Sequence, residues 1–339
     1  MKKKKFWNLA VRLFVSFFIL FFLFYGMRGN LPQVKSNILS LHVLTFLLGL
    51  LVYFLVSLLG ACRLKVLMHV HEIRLSFLKI LKNIYIGYLF NLFLLGSTGG
   101  DVVRSYYIAK ETNRKTEIVT LIFFDRLIGM ITMMCIALSS LIFNLHDPRL
   151  KKMALAVFIL LLAVIVFVIG IFSKDKLKRF PVIQMVLSKI AFRETLKKIS
   201  DTMHVFRNHK RKVFLGIFLS AVIQSLAIIS CYIVSLSITG IKDIPLRYFF
   251  LMMPIIFMGS ALPVSLGGWG IFEGGFVFCF ALAGISEGDS LSMGLMNRLI
   301  LIILGVIGAV LYVMPGTEHI AARAIEEGIE ELEEEAQLP

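Results

Sequence analysis

Charge is scarce in this chain. Only 17% of its 339 residues are Asp, Glu, Lys or Arg, whereas 58% are hydrophobic and the mean hydropathy is +0.86. A soluble domain carries about 25% charged residues, so a soluble globular class is excluded. Apolar runs of 18 or more residues recur, which points to a polytopic membrane protein. Cysteine is also scarce. The four, Cys62, Cys135, Cys231 and Cys279, stand singly in or beside apolar segments. With no CxxC and no paired spacing, neither a zinc site nor a disulfide framework is indicated. Acids are fewer than bases, 21 against 36. Eight of the acids and one Arg follow Pro315, which leaves 35 basic against 13 acidic residues in the rest of the chain. The surplus lies in loops beside membrane segments. Topology and anionic headgroups account for it, and nucleic acid is not indicated.

Nucleotide loops are missing too. GSTGGDVVR, 96–104, lacks the Gly-Lys-Ser/Thr ending of a P-loop, and GGWGIFEGG, 267–275, misses GxGxxG. No Ser/His/Asp or Cys/His set can be assembled, and no cofactor is indicated. His69, His71 and Glu72 lie in a short basic loop without a fourth ligand, so no metal is expected there.

What is present is a series of apolar segments. The first, about 7–27, follows a Lys-rich start. It is too long for a signal peptide and lacks a small-x-small cleavage site, so it reads as an uncleaved span. Further spans are expected at about 39–61, 118–143, 153–172, 213–238 and 291–314. Two more apolar stretches, 77–110 and 248–285, are broken by glycine. Residues 101–117 are too polar to cross a membrane, so the first broken stretch is expected to enter and leave on one side. Re-entry also places the basic stretches 63–82, 104–115 and 174–212 on one side with Lys2–Lys5, as the positive-inside rule requires. Each half then holds three full spans, an odd number, so the halves are inverted relative to each other.

The expected fold is an all-α polytopic membrane protein with about six full spans and two re-entrant hairpins. Its parts are a first membrane repeat at 1–143, a fourth span at 144–173, a basic cytoplasmic loop at 174–212, the remainder of the second repeat at 213–314, and an acidic tail at 315–339. Both termini are expected in the cytoplasm, at the plasma membrane. The loop has apolar residues at helical spacing and twelve Lys or Arg, the pattern of an amphipathic helix lying on a leaflet or on the protein's own base.

The two breaks carry the polar chemistry. Ser97-x-Gly99-Gly100 and Ser265-x-Gly267-Gly268 match, and each leads to an acid, Asp101 or Glu273. Broken apolar segments in corresponding positions of two halves are a transporter-like signature. Irregular backbone survives in a bilayer only where protein buries it or water wets it. A helix starting at such a break presents N–H groups and the positive end of its dipole, which suits a phosphate. The alternative is close helix packing by small residues. Asp101 and Arg104 share a helix face, Asp125 and Arg126 lie within a span, and Arg298 lies within the last. Ionisable groups at such depth cost about 2.5–3.5 kcal/mol each, so they are paired or face a wet cavity. One reading has Arg104, Arg126 and Arg298 holding a phosphate while Asp101, Asp125 and Glu273 position them or exchange a proton. The other has all six as ion pairs joining helices. Asn91 is placed to satisfy backbone groups freed at the first break.

Three runs carry a family resemblance. They are Asn91-x-Phe93-x-x-Gly96-x-x-Gly99-Gly100-Asp101-x-x-Arg104-x-Tyr106-Tyr107, Asp125-Arg126-x-x-Gly129, and Leu262-Pro263-x-x-x-Gly267-Gly268-x-Gly270-x-x-Glu273-Gly274. Together they resemble the lysylphosphatidylglycerol synthase transmembrane region family, the flippase-like domain proteins. In that family the first break usually reads Leu-Pro-Gly-Gly-Ile-Gly-Gly-Asp. Here Leu95 stands at the proline, and Ser97-Thr98 replaces Gly-Ile. The second motif often has Arg before Glu, and here that position is Phe272. The resemblance implies movement of a lipid between leaflets, with an anionic lipid or a polyprenyl-phosphate carrier as partner. The other function implied is a membrane partner or anchor for a separate lipid aminoacyl- or glycosyl-transferase. The aminoacyltransferase domain of two-part members has no room here, so the chain itself is not expected to be an enzyme.

Overall fold

Nine α-helices and no strand-built sheet make up the described part of the computed structural model. It describes residues 25, 28–94, 99–142, 209–238, 244–262 and 264–314. The expected spans at 7–27 (all but Tyr25) and 153–172, residues 174–208 of the basic loop, the acidic tail and Ser97 lie outside the described residues. In chain order the helices are α1 (Leu31–Leu39), α2 (Val43–Met68), α3 (Phe77–Phe93), α4 (Gly99–Thr112) and α5 (Lys115–Ile142), then α6 (Lys210–Leu236), α7 (Leu246–Ala261), α8 (Ile271–Ala281) and α9 (Glu287–Val313). Four of them, α2, α5, α6 and α9, are long and apolar enough to cross a membrane.

Hydroxyl caps set two of the starts. Ser76 accepts from the Lys79 N–H at the head of α3, and Ser286 accepts from the Asp289 N–H at the head of α9.

The helices form two equivalent sets, α2–α5 and α6–α9. From Gly99 to Ile271 is 172 residues, as from Lys115 to Glu287, so α4 and α8, and α5 and α9, start in register. Packing obeys the same equivalence. Helix α9 packs on α3 as α5 packs on α7, and each of α4 and α8 packs on its own hairpin partner and the following span. The equivalent helices α2 and α6 lie side by side and antiparallel. The His42 N–H donates to the Ser237 carbonyl at 2.8 Å, Ser230 Oγ to the Gly49 carbonyl at 2.8 Å, and Arg63 to Ser220 at 2.6 Å. Antiparallel equivalents make the two sets an inverted repeat.

The ends of the bundle follow. At one end lie 69–76, the α4–α5 turn and the start of α6, tied by Arg114 to the His71 carbonyl at 2.9 Å and Lys212 to the His69 carbonyl at 3.0 Å. At the other lie α1, the end of α6 and the α8–α9 turn, tied by Asn37 to Asp289 at 2.8 Å and Gln33 to Asp289 at 3.0 Å. The α3–α4 hairpin therefore starts and finishes at the first end, and the α7–α8 hairpin at the second. With 17 and 16 residues, α3 and α7 reach only about 24–26 Å, short of a hydrocarbon core of about 30 Å. The hairpins dip in from opposite ends.

Behind the second hairpin sits the largest apolar core among the described residues. Phe249, Phe280, Phe276 and Phe272 form a ladder with ring centroids 4.8, 5.5 and 5.2 Å apart in turn. The ladder helps fix α8 between α7 and α9 through buried aromatic area.

In a cysteine-free background, Arg74→Cys and Glu287→Cys should react with an impermeant maleimide from opposite sides of the membrane. Reaction of both from one side would contradict this arrangement.

Candidate functional site

The two hairpin tips touch. The Gly267 N–H donates to the Leu94 carbonyl oxygen at 2.6 Å, and Trp269 Nε1 donates to the Leu92 carbonyl at 3.4 Å. Leu92 and Leu94 end α3, where the chain leaves the helix and its last carbonyls lose their intrahelical partners. The opposite tip supplies donors. Gly267 has φ +56°, a left-handed conformation that side chains disfavour, and a Cβ there would sit 2.5 Å from the Leu92 carbonyl oxygen.

At the second tip a buried arginine closes the bend. Arg298, in the middle of α9, donates through Nε to Glu273 Oε1 at 2.6 Å, through Nη1 to the Gly267 carbonyl at 2.9 Å, and through Nη2 to the Gly268 carbonyl at 3.0 Å. Its guanidinium lies 4.8 Å from the Trp269 ring centroid and 4.7 Å from that of Phe272. Glu273 also accepts from the Gly270 N–H at 2.7 Å, capping α8 with its own third residue. Glu273 is fully buried and Arg298 is 3% exposed. Every nitrogen of this guanidinium is thus directed at protein. Ser265, also fully buried, finds no hydrogen-bond partner for its hydroxyl among the described residues.

The first tip is built differently. Asn91 Oδ1 accepts from the Gly100 N–H at 2.7 Å, capping the start of α4 from the helix before it. At Gly100 a side chain would overlap the Gly87 carbonyl oxygen, so glycine lets α3 and α4 close to backbone contact. Asp101 then meets Arg126 of α5 in a close ion pair and Arg104 at 3.2 Å. Arg104 also lies 3.6 Å from Asp125. A residue not singled out in the sequence completes the group. Arg63 of α2 grips Asp125 with Nε at 2.8 Å and Nη2 at 2.9 Å. Three arginines and two aspartates thus converge from α2, α4 and α5. Four of the five side chains are 16% exposed or less, whereas Arg126 is 37% exposed. Among the described residues, Arg104 Nε is buried without a hydrogen-bond partner. Arg126 is thus the most exposed member of the group.

Beside it stand hydroxyls and rings. Tyr88 and Tyr53 are half-buried, with centroids 6.5 Å apart, and Ser57 Oγ donates to the Tyr88 hydroxyl at 3.3 Å. Gln224 of α6 donates to the Gly129 carbonyl at 3.4 Å.

The structure thus divides the residues singled out in the sequence. Asn91, Gly99, Gly100, Asp101, Arg104, Asp125 and Arg126 gather at the first tip. Ser265, Gly267, Gly268, Glu273 and Arg298 gather at the second, with Arg298 turned to its own bend. The glycine pairs are not equivalent. Gly99 and Gly100 open α4, whereas Gly267 and Gly268 precede α8 by three residues or more. What corresponds is Asp101 with Glu273, each third in its helix, and Arg126 with Arg298, each 25 residues further on. Arg63 escaped sequence reading because its partner is 62 positions away. Its signal was its place inside the last two turns of an apolar span.

Half-length hairpins meeting tip to tip between antiparallel long helices, with buried charge at the junction, define an all-helical polytopic membrane protein built as an inverted repeat. Over residues 9–309 the chain matches the family described as lysylphosphatidylglycerol synthase TM region, and it belongs to that family. It is also 23% identical over 280 residues to a UPF0104 membrane protein of Pyrococcus horikoshii, an overlap of 75% of this chain and 82% of that one.

Removing Glu273 would leave Arg298 charged and buried without its acid. Glu273→Ala should lower stability by about 3–5 kcal/mol, read as an earlier thermal transition in detergent, and adding Arg298→Met should recover most of it. An unshifted transition in Glu273→Ala would refute the clip.

Proposed function

We propose that the protein moves an anionic lipid, a phospholipid or a polyprenyl-phosphate-linked lipid, between the leaflets of the plasma membrane. The observation that carries this reading is the first-tip cluster: three arginines against two aspartates, with Arg126 the most exposed of the five side chains. Guanidinium groups in low-dielectric surroundings bind phosphate oxygens strongly. Family membership and the inverted hairpins support it further, because inverted repeats give transporters their alternating access. The headgroup enters beside Arg126 and shares Arg104 with Asp101, while the acyl or prenyl chain stays in the bilayer. The basic end of the bundle, with Arg74, Lys79, Arg114 and Lys212, faces the cytoplasm, as do both termini. No chemical change of the lipid is required of these residues.

In proteoliposomes carrying short-chain fluorescent anionic lipids, the protein should speed leaflet exchange well above protein-free vesicles. Arg126→Ala should slow it about tenfold or more, the loss of one charged hydrogen-bonding group, without an equal loss of thermal stability. Exchange no faster than in empty vesicles across a panel of anionic phospholipids and polyprenyl phosphates would refute transport.

A further inference from the structure

The charged cluster is not centred between the two ends of the bundle. Arg63 lies five residues before the end of α2 at Met68, Arg104 eight before the end of α4 at Thr112, and Asp125 ten after the start of α5 at Lys115. At 1.5 Å per residue these are depths of about 8–15 Å from the first end. From Asp125 to Ile142, toward the second end, is 17 residues, or about 25 Å. A ligand that leaves on the second side must cross the longer part of the bundle, so contacts at that end have to part.

Helix α1 crosses that end. It joins α2 through Ser40, Leu41 and His42, whose N–H bonds to the Ser237 carbonyl at the end of α6 at 2.8 Å. Its Val34 packs on Leu291 of α9, with Val277 of α8 and Leu295 beside them. The helix therefore runs from the first repeat onto the second hairpin and the span that follows it. Its seat is polar. Asp289 Oδ1 accepts from Gln33 Nε2 at 3.0 Å and from Asn37 Nδ2 at 2.8 Å. Asn37 Nδ2 also donates to Ser292 Oγ at 3.1 Å, Gln33 Nε2 to Ser286 Oγ at 3.1 Å, and Asn30 Nδ2 to Glu287 Oε2 at 3.2 Å. Gly288 leaves room for Gln33, since a Cβ there would lie 2.5 Å from Gln33 Oε1.

This attachment is of a kind that opens. Every donor in it is a neutral carboxamide, which water can replace at little cost. Of the nine residues of α1, only Val34 and Asn37 are buried. An element held by a few polar bonds and little buried apolar area opens at low free energy. The head of α9 does not depend on it. Ser286 Oγ accepts from the Asp289 N–H at 3.1 Å and donates to Asp289 Oδ2 at 2.7 Å, so α9 keeps its cap when α1 departs.

Building on the transport reading, we infer that α1 is a strap that closes the second end of the bundle and leaves Asp289 when the site opens to that side. Closed, it ties the head of α2 to α8 and α9. Released, Gln33 and Asn37 exchange Asp289 for water, and the second hairpin is free to move against the first repeat.

The test uses the full chain in a cysteine-free background. Asn30→Cys and Glu287→Cys are bridged by a short, reducible bis-thiosulfonate. In proteoliposomes the bridge should slow leaflet exchange of short-chain fluorescent anionic lipid about tenfold or more, and a reductant should restore it, whereas either cysteine alone should not respond. Exchange at the unbridged rate in the bridged protein would overturn the inference. A second readout needs no lipid movement. Val277→Cys lies under α1, and an impermeant maleimide added on the second side reports whether α1 has lifted. Asn37→Leu removes the donor to Asp289 and Ser292, and Gln33→Ala takes its place if the first fails to fold. Either should speed labelling of Val277→Cys severalfold, and the bridge should slow it. Labelling that neither the variant nor the bridge alters would also overturn the inference. The two readouts separate the strap from transport. If the unbridged protein moves no lipid, transport falls and labelling alone decides α1. If lipid moves at full rate with α1 bridged, transport stands and the strap falls.

Discussion

Inside a bilayer a bend in the chain has no water to bond to, and that constraint organises the whole molecule. Each hairpin tip exposes backbone carbonyls and N–H groups where its helix ends. The structure satisfies them by bringing the tips together, Leu94 and Leu92 carbonyls to Gly267 and Trp269 donors. Each tip is then finished by a side chain, Asn91 at Gly100 and Glu273 at Gly270. The long antiparallel helices and the aromatic ladder hold the hairpins at the depth where these bonds can form. Neither hairpin could keep its break alone.

The two repeats use one pattern to different ends. An acid third in a short helix faces an arginine 25 residues later in both. In the second repeat the residue before the arginine is Asn297, which bonds to Met293, Cys231 and Ser235, and the arginine turns inward onto carbonyls and rings. In the first repeat that residue is Asp125. Its charge brings in Arg63, and Arg104 completes the cluster where the second repeat has Phe276 at the equivalent place. One repeat has become a closed joint, the other a cluster of five charges with Arg126 partly exposed.

The fold was largely legible because spans follow from hydropathy and hairpins from glycine and charge. Placement of basic loops on one side implied the re-entrant threading. The candidate site was legible only in part. Asp101, Arg104 and Arg126 stood out as charges in apolar sequence, but Arg63 read as the start of a basic loop, since the helix carrying it runs on to Met68. Tyr53 and Tyr88 carry no charge to set them apart from the apolar sequence around them. The repeat register also misled, because matching glycine pairs sets it four residues from where the helix starts place it. Glycines mark that a bend exists, whereas the helix start is set by which residue caps it.

Sequence alone determined that the chain spans a membrane, that its halves are inverted, and that two breaks carry buried charge. These follow from transfer free energies and charge asymmetry, which are sums over local composition. Tertiary structure alone decided which charges belong together, which arginine is spent on the backbone, and which is partly exposed. Pairings across 25 to 62 positions depend on how helices cross, and no local pattern encodes the crossing.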